Sequence, residues 1–270
     1  MTPDTIALLL TYNGAPFAGF ARQPDRKTVQ GQIESALSTV LRREVRTVGA
    51  GRTDSGVHAL GQVMSFDLEE GEKPDLFALR RSVDVLSGDG IGVYEVRRVR
   101  PGFSARFDAV RRTYRYRIFQ GSAASIFCDP YVWQIPKHLD VASMEKAADY
   151  FVGEHDFRSF CVTNTALELE KKSLSTSREI LALTLFPEEH FGERCLTVEV
   201  VGNAFLHSMV RTLVGTLVEV GVGHHEPAWA GEVLRARDRA AAGPTAPAQG
   251  LTFYKVEYPP HFLDSERARG

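Results

Sequence analysis

The sequence predicts an α+β protein built from two ferredoxin-like, RRM-like halves, residues 1–105 and 106–270, which join into one mostly antiparallel sheet. The first hundred residues carry hydrophobic patterns in the order β-α-β-β-α-β, which is typical of that fold. The rest of the chain repeats this order loosely. A length of 270 residues, 43% of them hydrophobic, is enough for two packed cores. We therefore expect helices on one side of the sheet and a basic cleft between the halves, where a functional site would lie.

The first half is defined by clear start and stop signals. Residues 6–12 form a short apolar run that ends at an Asn-Gly turn, which predicts a strand. From Thr28 onward, apolar residues recur at the i, i+3, i+4 and i+7 spacing of an amphipathic helix. A second helix is predicted over 75–86 and a further strand over 91–99. Two strands that flank residues 49–58 complete this half.

The second half contains strands and helices of the same kinds. Residues 113–119 alternate aromatic or apolar residues with polar ones, which predicts a half-exposed strand. Asp140 is a suitable cap for a helix that runs to Phe151. A long helix over 204–220, capped by Asn203, is apolar on nearly every face and should be central and buried. The remaining predicted strands are 179–186, 195–201 and 251–258.

The charge of the chain is nearly balanced, but its arginines are clustered. The formal net charge is −2, so the protein as a whole is not basic. The clusters are Arg42-Arg43 with Arg46, Arg80-Arg81, Arg97-Arg98 with Arg100, and Arg111-Arg112 with Arg115 and Arg117. Local basic clusters in a near-neutral chain fit an anionic partner bound on one face. A solvated surface with acids opposite is the alternative explanation.

The cysteine pattern and the start of the chain indicate the compartment. Cys128, Cys161 and Cys195 are few, odd in number and without a CxxC pair, so neither a disulfide framework nor a zinc site is expected. This usage fits a reducing environment. The first ten residues lack the basic segment and the long apolar run of a signal or membrane segment. We expect a cytoplasmic protein that does not associate with a membrane.

The stretch from 49 to 58 is the strongest candidate for chemistry. Three glycines permit tight turns and close approach of a ligand to the backbone. The same run holds one carboxylate, Asp54, one guanidinium, Arg52, and one imidazole, His58. Charged groups on a loop between strands are typical of functional sites. The alternative is an Asx-turn in which Asp54 only caps its own backbone.

Arg211 is the second candidate, because it lies in the predicted apolar helix over 204–220. Its neighbours on the same face, Ser208 and Gly215, are small and leave space beside it. A buried guanidinium requires an anion, which here is either a bound phosphate or a carboxylate from the other half. Asp54 is the best-placed acid. A purely structural ion pair stays open as an alternative.

One carboxylate, several cations and aromatic residues suit attack or proton transfer on a nucleotide. Tyr114, on a strand rich in arginine, could stack against a base extruded from its helix, or it could simply be a strand residue. A glycosidase would normally use two paired carboxylates, and the loop has one. No GxGxxG or GxxxxGK[ST] stretch occurs, and His224-His225-Glu226 lacks a spaced third ligand. We therefore expect no cofactor and no metal.

These motifs together resemble the family of bacterial tRNA pseudouridine synthases of the A type. The resemblance covers most of the chain. The matching segments are Tyr12-Asn13-Gly14, Phe17, Gly19-Phe20, Thr28-Val29-Gln30, the signature loop 51–59, and the segments 112–116, 153–157, 205–211 and 246–251. Three positions depart from the family pattern. Asn13 stands where Asp is usual, Phe20 where Trp is frequent and Ser208 where His is common.

The resemblance implies isomerisation of uridine to pseudouridine at positions 38, 39 and 40 in the anticodon arm of tRNA, without cofactor. Asp54 matches the catalytic aspartate, which attacks the sugar or the base or removes a ribose proton. Arg52 matches the arginine that helps the target nucleotide leave the stack. Tyr114 matches the tyrosine against the uracil, and Arg211 the arginine that pairs with the aspartate. A homodimer of two α/β halves per chain is also implied.

Overall fold

The computed structural model describes residues 4–260 and divides them into two compact units. The first unit comprises residues up to Arg112 together with those from Phe253 onward, and the second comprises Thr113–Thr252. The chain thus leaves the first unit after Arg112 and returns to it at Phe253. Residues 1–3 and 261–270 of the two predicted halves lie outside the described residues.

Over residues 5–99 the first unit has the predicted β-α-β-β-α-β order, and a strand from near the end of the chain is added to it. Its elements are β1 (Thr5–Tyr12), α1 (Val29–Leu41), β2 (Val48–Gly49), β3 (His58–Asp67), α2 (Leu76–Leu86), β4 (Ile91–Val99) and most of β10 (Leu251–Glu257). The sheet order is β4-β1-β3-β10, and the short β2 pairs with β3. β1 is antiparallel to both of its neighbours. The predicted order of strands and helices in this half is confirmed.

Local capping explains why both helices of the first unit begin where the sequence predicts. The side chain of Thr28 accepts a hydrogen bond from the Gly31 amide at 3.2 Å, and Val29 opens α1. Asp75 accepts bonds from the amides of Phe77 and Ala78 at the start of α2. Each cap satisfies donors that have no partner within the helix.

The second unit is also a mixed α/β structure with a mostly antiparallel sheet. Its elements are β5 (Arg111–Gln120), β6 (Trp133–Ile135), α3 (Val141–Ala148), β7 (Gly153–Asp156), α4 (Thr163–Lys171), β8 (Ser177–His190), β9 (Glu193–Gly202), α5 (Met209–Gly221) and α6 (Trp229–Ala236). The order of the strands is β5-β9-β8-β7. β6 is parallel to β5, whereas β8 is antiparallel to both β7 and β9. The predicted α+β class is confirmed. The pairing of the strands predicted over 179–186 and 195–201 is confirmed in β8 and β9.

The start of α5 differs from the prediction. The helix begins at Met209 and not at residue 204, and Asn203 does not cap it. The side chain of Asn203 instead accepts a hydrogen bond from the Glu179 amide at 3.1 Å. Ser208, with φ 59°, is the residue that enters the helix. Arg211 is therefore in the first turn of α5 and is half-buried, whereas the sequence placed it in the middle of a buried helix.

The polar face of β5 is buried, whereas the sequence predicted a half-exposed strand. Arg117 is only 4% exposed, and its Nε lies 2.7 Å from Oε2 of Glu188. Arg115 Nε lies 2.7 Å from Oε2 of Glu199, and its Nη1 lies 3.0 Å from Oε1 of Glu188. The Thr197 hydroxyl donates to the same Glu188 carboxylate at 3.0 Å. Two arginines of this predicted basic cluster are thus ion-paired within the unit.

The three cysteines are buried free thiols. Although distant in sequence, Cys128 and Cys195 lie with their sulfur atoms 3.8 Å apart. Burial raises the pKa of both thiols. Across residues 4–260, no helix is both long and apolar enough to cross a membrane.

We predict that Glu188 stabilises the second unit in a pH-dependent way. Burial disfavours its charged form, but the hydrogen bonds of Arg117 and Thr197 and the charges of Arg117 and Arg115 together outweigh that effect and hold the pKa of Glu188 below its ordinary value. A lowered carboxyl pKa stabilises the folded state at neutral pH, and that stability is lost as pH falls through the folded-state pKa. Glu188→Gln should therefore reduce the free energy of unfolding at pH 7 by about 1–3 kcal/mol.

Urea unfolding measured from neutral pH to about pH 3, below the ordinary carboxyl pKa, would check this prediction. The difference in the free energy of unfolding between Glu188→Gln and the unsubstituted protein should become smaller as pH falls. Glu189→Gln is the matched control, because Glu189 is the next residue of β8 and is exposed. An equal loss in both variants, or a loss independent of pH, would contradict the assignment.

Candidate active site

The candidate catalytic loop, residues 50–57, connects β2 to β3 in the first unit, as the sequence predicts. β2 ends at Gly49 and β3 begins at His58. Asp54 is half-buried on this loop, whereas Arg52 is exposed. The loop therefore offers a partly desolvated carboxylate and, two residues away, a guanidinium in solvent.

Residues 17–20 hold the loop on both sides of Asp54. The Phe20 amide donates to the carbonyl of Thr53 at 3.1 Å. The Ser55 hydroxyl donates to the carbonyl of Phe17 at 2.9 Å. Because the residues immediately before and after Asp54 are both bonded to this segment, the backbone that carries the carboxylate is fixed.

Two glycines allow this close packing of backbone against backbone. Gly19 has φ 102°, and a Cβ atom there would lie 3.2 Å from the carbonyl oxygen of Thr53. A Cβ on Gly14 would lie 2.1 Å from the carbonyl oxygen of Val57, which is a severe overlap. Both positions therefore require glycine. Gly19 needs its positive φ and its small size, and Gly14 needs only its small size.

A buried tyrosine, Tyr12, supports the loop through a side-chain hydrogen bond. The hydroxyl of Tyr12 lies 2.8 Å from Oγ1 of Thr53, and Gln62 Nε2 donates to the Gly51 carbonyl at 2.9 Å. Burial raises the pKa of Tyr12 to about 12, although its hydrogen bonds to Thr53 and Gln62 oppose the shift. Tyr12 is therefore a neutral phenol at physiological pH and acts as a rigid support.

Arg112 also supports the loop, a role that the sequence analysis missed. It is 8% exposed, and its Nε donates to the carbonyl of Ala50 at 3.0 Å. Its Nη2 donates to the carbonyl of Arg106 at 2.6 Å. The available signal was the Arg111-Arg112 pair at the start of a strand, because adjacent strand residues point to opposite faces.

Two of the three departures from the family pattern lie beside this loop, and the structure accommodates them. The Asn13 side chain accepts a bond from the Ala15 amide at 3.0 Å, a role that aspartate can also fill. The ring of Phe20 lies directly over Gly49, where a Cβ would be 2.4 Å from the ring, and 6.3 Å from the ring of Tyr12. These substitutions leave the backbone support intact. The third departure, Ser208, lies in the second unit at the left-handed residue that precedes α5.

Tyr114 lies in the second unit and is 6% exposed. Its ring meets that of Phe205 edge to face, with centroids 5.0 Å apart and an interplanar angle of 79°. A Cβ on Gly202 would lie 2.9 Å from the Phe205 ring, so the absence of a side chain there makes room for Phe205. Phe205 therefore fixes the plane of Tyr114.

Arg211 is oriented by a backbone carbonyl. Its Nε donates to the carbonyl of Ala246 at 2.7 Å, and its own carbonyl accepts from the Ala246 amide at 3.1 Å. The space that Gly215 leaves is occupied by the segment before Ala246, since a Cβ on Gly215 would lie 1.8 Å from the Pro244 carbonyl oxygen. Burial raises the pKa of Tyr116, and the positive charge of Arg211 opposes that shift.

The predicted site residues thus fall into two pairs. Asp54 and Arg52 share one loop of the first unit, and Tyr114 and Arg211 belong to the second unit. The pairing of Asp54 with Arg211 joins residues of different units and stays a prediction. A carboxylate and a guanidinium on one fixed loop suit nucleophilic or acid–base chemistry on a nucleobase or its sugar.

Comparison with known proteins identifies the family. The sequence model of the family described as tRNA pseudouridine synthase matches residues 9–79 and 147–259 of the chain. The chain belongs to the tRNA pseudouridine synthase family, which makes it an isomerase that acts on tRNA.

The curated relatives carry a more specific name. The chain is 43% identical over 252 residues to tRNA pseudouridine synthase A of Brevibacillus brevis, with 93% of this chain and 98% of the relative covered. It is 39% identical over 251 residues to the protein of the same name from Thermotoga neapolitana, with the same two coverages. The protein of that name from Francisella tularensis subsp. novicida is 38% identical over 257 residues, with 93% of each chain covered.

We predict that Gly215→Ala destabilises the support of Arg211. Replacement of glycine by alanine in a helix normally adds about 1 kcal/mol of stability. Here the new methyl group would overlap the Pro244 carbonyl, so the free energy of unfolding should fall by about 1–3 kcal/mol. Activity on tRNA should fall as well, because Ala246 moves away from Arg211.

Thermal unfolding and pseudouridine formation measured together would check this. Gly221→Ala is the matched control on the same helix. A Cβ on Gly221 would meet the flexible Sδ of Met144, at 2.6 Å, and not a carbonyl, so a smaller loss is expected. An unchanged or higher melting temperature for Gly215→Ala would refute the packing argument.

Proposed function

We propose that this protein isomerises uridine to pseudouridine in the anticodon stem-loop of tRNA, at positions 38, 39 and 40, with Asp54 as its catalytic group. One observation carries the proposal. Asp54 stands on a loop whose backbone is bonded on both sides of it to residues 17–20, in a chain of the tRNA pseudouridine synthase family. A fixed, half-buried carboxylate is suited to attack or proton removal, because little reorganisation is needed during the reaction.

The reaction breaks the bond between N1 of uracil and C1′ of ribose, turns the base and joins C5 to C1′. Three roles of Asp54 are compatible with this sequence of events: attack on the sugar, attack on the base, and removal of a ribose proton. C5 then loses its proton and N1, freed from C1′, takes up a proton, so the product is an isomer and no cofactor or energy source is required. All three routes need the carboxylate ionised.

The other residues take supporting roles in the proposal. Arg52, exposed beside Asp54, helps the target nucleotide leave the stack. Tyr114, whose ring is held by Phe205, lies against the uracil and assists loss of the C5 proton. Arg211, oriented by Ala246, pairs with the Asp54 carboxylate and orients it toward the nucleotide.

We further propose that the protein works as a homodimer in the cytoplasm. The three free cysteines and the tRNA substrate are consistent with a reducing compartment. The dimer rests on the family resemblance and is testable by sedimentation or light scattering.

Asp54→Asn should abolish catalysis while RNA binding is largely kept. The release of tritium from tRNA that carries [5-³H]uridine should fall by at least about 10³-fold, because the amide is neither a nucleophile nor a base. Asp25→Asn is the matched control. Asp25 is exposed in the same unit with φ 55°, a conformation that asparagine tolerates.

Three outcomes would reject the proposal. Wild-type tritium release in Asp54→Asn would remove Asp54 from the catalytic role, and release of free uracil by the unsubstituted protein would indicate a base-releasing glycosidase. RNA binding without any pseudouridine would indicate a non-catalytic RNA-binding protein.

Tyr114→Phe tests the proton role separately from stacking. The ring and its contact with Phe205 are preserved, so tRNA affinity should stay within about threefold. The single-turnover rate should fall by about 10²-fold or more if the hydroxyl transfers a proton. Tyr150→Phe, at an exposed tyrosine of the same unit, is the control. Wild-type turnover in Tyr114→Phe would contradict the assignment.

A further inference from the structure

We infer that Arg22 binds a backbone phosphate of the RNA substrate beside the catalytic loop and that the buried carboxylate of Glu34 holds it in place. The inference rests on the proposed function for its substrate and adds a binding residue to that site. It is carried by a buried acid for which the proposed reaction has no use.

Glu34 is 5% exposed on α1. Its Oε1 atom accepts three hydrogen bonds, from the Thr47 amide at 2.9 Å, the Thr47 hydroxyl at 3.1 Å and Gln30 Nε2 at 3.2 Å. Its Oε2 atom is buried and has no hydrogen-bond partner among the described residues. A buried carboxylate oxygen without a hydrogen bond is costly unless a positive charge lies nearby.

Two arginines supply that positive charge. Nη1 of Arg22 lies 3.6 Å and Nη1 of Arg46 lies 3.8 Å from Oε2 of Glu34. Both distances are too long for a hydrogen bond, so Glu34 attracts each guanidinium without using its N–H donors. The two side chains are 50% and 57% exposed, and both can therefore be reached from solvent.

The two arginines differ in the number of carboxylates with which they form ion pairs. Nη2 of Arg46 forms an ion pair with the exposed Glu44. Within the part of the chain that the structure describes, Arg22 has no ion-pair partner besides Glu34. The charge of Arg46 is thus shared between two carboxylates, whereas Arg22 faces one carboxylate and has a side chain that is 50% exposed. A guanidinium in that state suits bidentate binding of a phosphate.

Arg22 is positioned next to the catalytic loop by a chain of short bonds. Its amide donates to Gln30 Oε1 at 3.2 Å, and the Gln30 amide donates to the carbonyl of Phe20 at 2.9 Å. The Phe20 amide in turn bonds the carbonyl of Thr53, directly before Asp54. Two residues of extended chain span at most about 7 Å, so the Cα atom of Arg22 lies within about 7 Å of the Cα atom of Phe20. A phosphate adjacent to a nucleotide at Asp54 is therefore within its reach.

Arg22→Gln and Arg46→Gln form a matched pair for the test, because both arginines face the same carboxylate at similar exposure. The tRNA dissociation constant of each variant would be measured over a range of salt concentrations. We expect Arg22→Gln to weaken binding about fivefold to tenfold and to reduce the slope of log K against log[salt] by about 0.9, the value for one phosphate contact. Arg46→Gln should stay within about threefold of the unsubstituted protein.

A second measurement locates the phosphate. RNA stem-loops that carry one neutral methylphosphonate at successive positions around the target uridine would be bound to the protein and to Arg22→Gln. At the phosphate that Arg22 contacts, the losses of binding free energy caused by the methylphosphonate and by Arg22→Gln should not add. At the other positions the two losses should be additive. Additive losses at every position would overturn the inference, as would equal weakening by Arg22→Gln and Arg46→Gln.

Two further readouts separate the possible failures. Each variant should lower the melting temperature by a similar small amount, because each removes one of the two charges that face Glu34. Arg46→Gln should keep its single-turnover rate at saturating enzyme within about threefold. A lowered melting temperature together with unchanged RNA affinity would make Arg22 a structural residue only. If the unsubstituted protein forms no pseudouridine, the proposed function fails, yet the binding comparison still decides the role of Arg22.

Discussion

The candidate active site depends on one backbone hydrogen bond, from the amide of Phe20 to the carbonyl of Thr53. This bond joins the turn after β1 to the loop that carries Asp54. It forms only because Gly19 brings the two backbones together without a side chain between them. The loop can therefore be exposed enough to meet a substrate and still have a fixed conformation, which a reaction that rearranges one nucleotide in place requires.

Backbone carbonyl oxygens orient two of the arginines, one in each unit. Arg112 donates to Ala50 beneath the loop, and Arg211 donates to Ala246 in the second unit. A carbonyl fixes the direction of a guanidinium without adding a full negative charge. Arg115 and Arg117, by contrast, are bound to carboxylates of Glu188 and Glu199 and serve the sheet. The same residue type thus has two functions, distinguished by the acceptor.

Local signals in the sequence were enough to predict much of the fold and the catalytic loop. α1 and α2 were predicted correctly because their signals are local. Each helix has a capping residue, Thr28 or Asp75, directly before an apolar pattern of helical spacing. The start of α5 was predicted wrongly because residues 204–208, of which only the first three are apolar, form a loop and turn before the helix, which periodicity does not reveal. The ion pair between Arg117 and Glu188 joins residues distant in sequence, so alternation alone predicted an exposed face. The short helices α4 and α6 were missed.

The segment from 243 to 250 resembles a flexible linker in composition, being rich in glycine, proline and alanine, yet the structure uses it as a rigid part. Its backbone exchanges two hydrogen bonds with Arg211, and its Gly243 amide donates to the Thr216 hydroxyl at 3.1 Å. A surface tag or label inserted here would therefore displace a guanidinium of the candidate site. Protease accessibility and tolerance of insertion are better sought in the hairpin between β8 and β9, where Gly192 has open space around it.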